Sequence, residues 1–207
     1  MGIGAKLNGS FGVALMEADE MLAGRGKLWE TLKRISETLD ALGIDYALIG
    51  GLALFLHGRQ RLTEDVDLLV ERHSLDKIHD ALVGKGYLPA FAGSRNLRDT
   101  ITGIPVEFVT SGEYPGDGKP KPIAFPLPNA DSVEQEGIKV VSLRKFVELK
   151  LASGMTAAHR LQDLADVLAV IQIKPLDESF AQQLNPYVRE KYLELCRAAK
   201  NKDHPGD

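Results

Sequence analysis

Two aspartates one residue apart, Asp65 and Asp67, lie in the run EDVDLLVE, among valine and leucine. In an extended strand residues i and i+2 share a face. Their Cα atoms are then about 6–7 Å apart, at about 3.3 Å of rise per residue. Carboxylates this close repel, and each is driven towards protonation unless a cation lies between them. A divalent ion removes that penalty, and Mg2+ favours one or two carboxylates together with substrate phosphates. Val66 and Leu68 point to the opposite face, into a core. Taken alone, such a pair is most simply a polar strand face, so the reading depends on its surroundings.

Two glycines, Gly50 and Gly51, follow an apolar run, and 13 residues separate Gly51 from Asp65. Glycine lets a ligand approach the backbone, and a helix N-terminus offers free N–H groups to a phosphate. The plainer reading is a strand-to-helix turn with unusual dihedrals. A third carboxylate, Glu107, lies in the middle of IPVEFVT. A charge there is expected to have a partner, or else to point outward from an antiparallel sheet. Together these residues form the set used in two-metal phosphoryl transfer.

The elements that would carry them follow from periodicity and breakers. Residues 13–42 read as helix interrupted at Gly24 and Gly26, with Leu28, Leu32, Ile35, Leu39 and Leu42 on one face. Gly43 closes it. Strands are expected at 45–49 and 66–70, with a short helix between them. Ser74 is expected to cap a helix over 75–84. Residues 95–101 and 104–110 read as a hairpin around Thr102-Gly103, and a second hairpin turns at Glu136-Gly137. Residues 112–130 hold five prolines and three glycines, a long loop. It could cover an acceptor or be an irregular connection. Ser142 caps a helix carrying Lys150, a second helix spans roughly 157–171, Pro175 breaks it, and two more follow near 177–184 and 187–200. Residues 1–12 are expected to be poorly ordered.

The pattern IGG, a gap, then DVDL resembles the motif of the nucleotidyltransferase superfamily with the DNA polymerase β-like core. The preceding Arg61-Leu62-Thr63 resembles the R-x-T-x-D-apolar-D form of its small members. The segment VELKLASGMTAAHRLQDLADVLAV resembles the helical region of AbiEii-like nucleotidyltransferases, which include toxins of toxin–antitoxin pairs. The resemblance covers roughly residues 28–171. It implies that Asp65, Asp67 and Glu107 ligate two Mg2+ ions, and that Gly50 and Gly51 cradle the β- and γ-phosphates. It further implies that Lys150 offsets triphosphate charge, that Arg61 binds phosphate or acceptor, and that Asp163, with Arg160 and Asp166 nearby, completes the site. The third acid is Glu where many members have Asp. Lys150 could equally snorkel, and Asp163 with Arg160 could be a simple i,i+3 ion pair.

The implied fold is α/β (α+β), a small mixed sheet with flanking helices and a C-terminal helical region. The expected divisions are a segment at 1–27, a nucleotidyltransferase core at 28–141 and helices at 142–207. The implied activity is transfer of a nucleoside monophosphate from an NTP, expected to be ATP, to an RNA end, a protein or a small molecule. An antitoxin is a conceivable partner. The alternative is a weak or inactive nucleotide- or partner-binding protein on the same fold.

With 207 residues and 44% hydrophobic content there is material for a core, while a net charge of −4 argues against general nucleic-acid coating. A local basic patch of Arg59, Arg61, Lys119 and Lys121 would still suit a terminal acceptor. The single cysteine, Cys196, excludes an intrachain disulfide and reads as a packed thiol in a reducing compartment. His57 and His159 lack metal-ligand spacing. No apolar run reaches the ~20 residues of a membrane span, so the expectation is a cytoplasmic protein without a membrane partner.

Overall fold

The computed structural model describes residues 9–174 and 176–202. Helices α1 (Gly9–Leu22) and α2 (Lys27–Ala41) meet at the predicted glycine break, and both Gly24 and Gly26 have positive φ. Helix α1 begins inside the stretch expected to be irregular; residues 1–8 lie outside the described residues, as does Pro175. Leu28, Leu32, Ile35 and Leu39 of α2 are buried, as their spacing requires.

Seven strands form one mixed sheet: β1 (Tyr46–Leu48), β2 (Val66–Val70), β3 (Tyr87–Pro89), β4 (Leu97–Asp99), β5 (Pro105–Thr110), β6 (Ser132–Gln135) and β7 (Ile138–Val141). Their order is β3-β4-β5-β2-β1-β7-β6. Strand β2 is central, antiparallel to β1 and parallel to β5. A central strand is covered on both faces, which accounts for the near-continuous apolar run Val66, Leu68, Leu69 and Val70 around Asp67. The mixed α/β architecture is the one expected.

Both predicted hairpins form, β4–β5 and β6–β7, and Glu136 and Gly137 take the left-handed conformations of a tight turn. Strand β3 was not predicted; it pairs with β4 at the sheet edge. Helices α3 (Gly50–Leu56), α4 (Leu75–Leu82), α5 (Leu143–Thr156), α6 (Leu161–Ile173) and α7 (Pro186–Lys202) complete the fold. The hydroxyl of Ser142 accepts from the Lys145 N–H and caps α5 as predicted. Ser74 makes no cap. It already has helical dihedrals, because a 3-10 turn over Arg72–Ser74 starts the winding one turn earlier. The helix expected near 177–184 is a 3-10 run, Glu178–Gln183.

One buried carboxylate fixes the β4–β5 hairpin to α2. Asp99 is fully buried and accepts from Thr31 Oγ1 at 3.0 Å, from the Ile101 N–H at 2.8 Å and from Arg34. Removing it strands the buried Thr31 hydroxyl and the Arg34 guanidinium. Asp99→Ala should therefore lower unfolding free energy by about 3 kcal/mol, read as a drop in the urea midpoint with unchanged m-value.

Candidate active site

The sheet register brings the acids to the glycines. Leu48 of β1 pairs with Leu68 of antiparallel β2, so the next residue of β1 meets Asp67, and Ile49 N–H donates to the Asp67 carbonyl at 3.0 Å. Gly50 and Gly51 thus leave β1 directly beside the Asp67 side chain. On the other flank Asp67 and Glu107 are direct partners in the parallel β2–β5 pair. Residues directly opposite in a sheet share a face. Asp65 precedes β2 by one residue. Ligand oxygens of Asp65, Asp67 and Glu107 all lie within 4.8 Å of one another. Glu64, by contrast, is exposed.

The glycines serve protein side chains first. Gly50 has φ +69°, and a Cβ built on it would lie 2.6 Å from Asp67 Cγ. A Cβ on Gly51 would lie 2.6 Å from Thr63 Cβ. The Gly51 N–H faces the Asp67 carboxylate and favours its charged form. Thr63 Oγ1 in turn donates to Asp65 Oδ1 at 2.8 Å. The turn and the R-x-T segment therefore orient the acid pair.

Asp67 is pushed up to about 7, first by burial and then by the charges of Asp65 and Glu107; Lys150 and the Gly51 N–H act in the opposite sense. Three converging carboxyl groups, one of them held against ionisation by burial and then by its neighbours' charges, fit a hard divalent cation. Asp65, Asp67 and Glu107 are the residues that could hold it.

The triad opens onto a cavity of about 900 Å³. Its lining includes Gly50, Gly51, Arg61, Lys150 and Asp163, together with Arg95, Glu113 and Phe125. Lys150 Nζ does not snorkel outward. It donates to Asp163 Oδ1 at 2.6 Å and Asp166 Oδ2 at 3.0 Å. Asp163 also accepts from Ser153 Oγ at 2.5 Å. The simple Arg160–Asp163 pair is not formed, because Asp163 turns inward to α5 and Arg160 is exposed on the cavity rim.

The loop after β5 supplies part of the lining. The Gly112 N–H donates to the Phe125 carbonyl and the Phe125 N–H to the Glu113 carbonyl, both at 2.9 Å, so its ends are tied together. Lys121 is 4% exposed and bound to Asp117 at 2.5 Å, which makes it a strut of this loop. It is not part of a basic acceptor patch, and of the four cations expected there only Arg61 lines the cavity. Glu113 accepts from Arg95 at 2.7 Å and Arg72 at 3.1 Å. Burial pushes its carboxyl up, but the hydrogen bonds from Arg95 and Thr110 outweigh this and hold it below the usual range. Ser153 and Arg95 were not singled out from sequence, and Thr63 was named only as part of the R-x-T segment, without the role its i,i+2 hydroxyl–carboxylate pair gives it.

Two other expectations concern packing. His57 is buried, with Nε2 2.9 Å from the Val141 carbonyl, and burial pushes its pKa down. Cys196 is buried, and burial pushes its thiol up, which leaves it inert.

Residues 31–113 match the family model of aminoglycoside-2''-adenylyltransferase. The match spans less than half of the chain, and it contains Gly50, Gly51, Asp65, Asp67 and Glu107. It supports the nucleotidyltransferase superfamily, but it does not reach α5 and α6, on which the AbiEii-like resemblance rests. Three solved structures are similar. A candidate nucleotidyltransferase from Thermotoga maritima is 21% identical, with 67% of this chain and 91% of that one covered and a TM-score of 0.44. ANT(2'')-Ia in complex with adenylyl-2''-tobramycin is 11% identical, covering 84% and 97%, with a TM-score of 0.49. A nucleotidyltransferase-like antigenic protein from Paracoccidioides brasiliensis is 15% identical, covering 91% and 90%, with a TM-score of 0.46. No curated protein matches the chain. Among the described residues no helix is long and apolar enough to cross a membrane.

Proposed function

We propose that this cavity transfers a nucleoside monophosphate from an NTP to an acceptor hydroxyl, releasing pyrophosphate. The observation that carries the reading is the convergence of Asp65, Asp67 and Glu107 within 4.8 Å at the mouth of a cavity whose other residues include Lys150 and Arg61. Asp65, Asp67 and Glu107 would hold Mg2+, which when bound lowers the pKa of an attacking oxygen and neutralises charge on the leaving phosphates. ATP is the expected donor.

The chain's own residues supply positioning and charge, which are the main requirements of phosphoryl transfer. Gly50 and Gly51 keep the backbone open beside Asp67. Lys150 and Arg61 offset the triphosphate charge. Glu107, the exposed member of the triad, faces the acceptor and takes its proton on a carboxylate oxygen. The acceptor oxygen bonds to the α-phosphorus as the bond from that phosphorus to pyrophosphate breaks.

Two acceptor classes have separate support. The family-model match over residues 31–113 favours a small-molecule hydroxyl. The resemblance of α5 and α6 to toxin-type enzymes favours an RNA end or a protein, with an antitoxin as partner. A polycationic acceptor is the less suited small molecule: the two further lining carboxylates, Glu113 and Asp163, are already engaged by Arg95 and Arg72 and by Lys150.

The experiment is to add each NTP, radiolabelled at the α-phosphate, with Mg2+ to cell lysate containing wild type or Asp67→Ala. The lysate is then separated into RNA, protein and small-molecule fractions. Label in one fraction that the variant fails to produce names the acceptor class. If wild type labels nothing with any NTP while calorimetry shows NTP binding, the protein is a non-catalytic nucleotide-binding module.

A further inference from the structure

Beside Lys150 and Arg61 lies a carboxylate pair that the transfer scheme does not itself require. Asp163 and Asp166 are three residues apart on α6, and both are buried, at 7% and 2% exposure. Two carboxylates one helical turn apart repel, and burying them demands cationic partners. The partners come from two distant segments. Lys150, from α5, lies 3.0 Å from Asp166 Oδ2. Arg61, from the segment before β2, places Nε 3.2 Å from Asp166 Oδ1. Gln162 Nε2 donates to the same oxygen at 3.0 Å. One carboxylate therefore holds a cation on each of its oxygens.

The arrangement has a direction. Asp166 does not line the cavity, whereas Lys150 and Arg61 do. Each cation also spends only part of its donors on the cluster. Lys150 gives two of three N–H groups, to Asp163 and Asp166. Arg61 meets Asp166 as an ion pair only, its buried Nε making no hydrogen bond among the described residues; the guanidinium's one hydrogen bond there runs from Nη1 to the Leu62 carbonyl at 3.1 Å. The remaining donors are available to a ligand in the cavity.

We infer that Asp166 is a positioning residue that seats Lys150 and Arg61 side by side on the cavity wall as a paired clamp for a polyphosphate chain. This rests on the nucleotide reading above. It differs from a role in mere charge balance by the sign of one effect. If Asp166 only neutralises its neighbours, removing its charge leaves two stronger free cations, and polyphosphate binds more tightly. If it orients them, removing it scatters two flexible side chains, and polyphosphate binds more weakly.

The test is calorimetric titration of the full chain with inorganic tripolyphosphate and Mg2+ at low salt. Asp166→Asn keeps the shape and removes the charge. Its affinity is expected to fall about tenfold or more, the usual loss when a supporting partner is removed. Arg61→Lys guards against a folding defect in the buried variant, since Arg61 is partly exposed. It keeps the positive charge but loses the Nε contact, and it should also weaken binding by about tenfold. In the double variant the two losses should be less than additive. Unchanged or tighter binding in folded Asp166→Asn, or in Arg61→Lys, while wild type binds, overturns the positioning role and leaves the nucleotide reading standing. Failure of wild type to bind tripolyphosphate overturns both.

Discussion

Asp67→Asn should make the metal-free protein more stable than wild type at pH 8 and abolish its stabilisation by divalent metal. Burial and the neighbouring Asp65 and Glu107 raise the Asp67 carboxyl from 3.8 to about 7. The folded state then holds a proton that the unfolded state has released. Between about pH 4 and 7 the unfolded chain binds fewer protons, so stability falls as pH rises through this window and is level above it. The displacement corresponds to on the order of 4 kcal/mol before water in the half-open cavity screens part of it. The amide cannot ionise and removes this slope. A divalent cation held by the ionised triad of the folded state, and not by the unfolded chain, would raise stability by mass action. Thermal unfolding of wild type and variant at pH 5 and pH 8, with and without Mn2+, checks each part. A wild type that melts at the same temperature with and without millimolar Mn2+ at pH 8 would count against a metal site.

The same triad shows what a linear sequence carries and what it withholds. Asp65 and Asp67 were legible because strand alternation is a local rule, and two residues suffice to place two carboxylates on one face. Glu107 was suspected only because a charge between apolar residues needs a partner. Its position beside Asp67 is a matter of sheet order, and the parallel β2–β5 pairing joins segments about forty residues apart. The glycines were legible as a backbone exception, but their reason was not. They make room for Asp67 and Thr63, which lie 17 residues beyond Gly50 and 12 beyond Gly51. Lys121 was placed on the wrong side of the argument. A lysine in a Pro/Gly loop looks like a solvated cation, and only the fold shows Asp117 and Thr156 closing over it. Asp166 shows the limit most sharply. Nothing within its helix indicates that it bridges Lys150 on one neighbour and Arg61 on another.

Gly50→Ala should abolish transfer while leaving a folded protein. The added methyl meets two obstacles at once. The backbone holds φ +69°, a region that costs an L-residue about 1 kcal/mol or more. The Cβ would also lie 2.6 Å from Asp67 Cγ and 2.9 Å from its Cβ, far inside van der Waals contact. The helix start and the centre of the sheet cannot both keep their places. Val66, Leu68 and Val70 anchor β2 in the core, so the freer partner is the Asp67 side chain. Turning it aside moves its oxygens away from Asp65 and Glu107. A displacement of about 1 Å in such a group can cost on the order of 100-fold in rate, and losing the aligned acid raises this further. The expected result is activity below detection, loss of Mn2+-dependent thermal stabilisation, and a melting temperature lowered by a few degrees. Gly51→Ala acts through a different group. Its Cβ would press on Thr63, which orients Asp65, and Thr63 stands on an open segment that can shift. It should retain measurable activity, because Thr63 can give way where Asp67 cannot without turning aside. Equal, full activity in both alanine variants would mean that the Asp67 carboxylate is not held where the chemistry needs it.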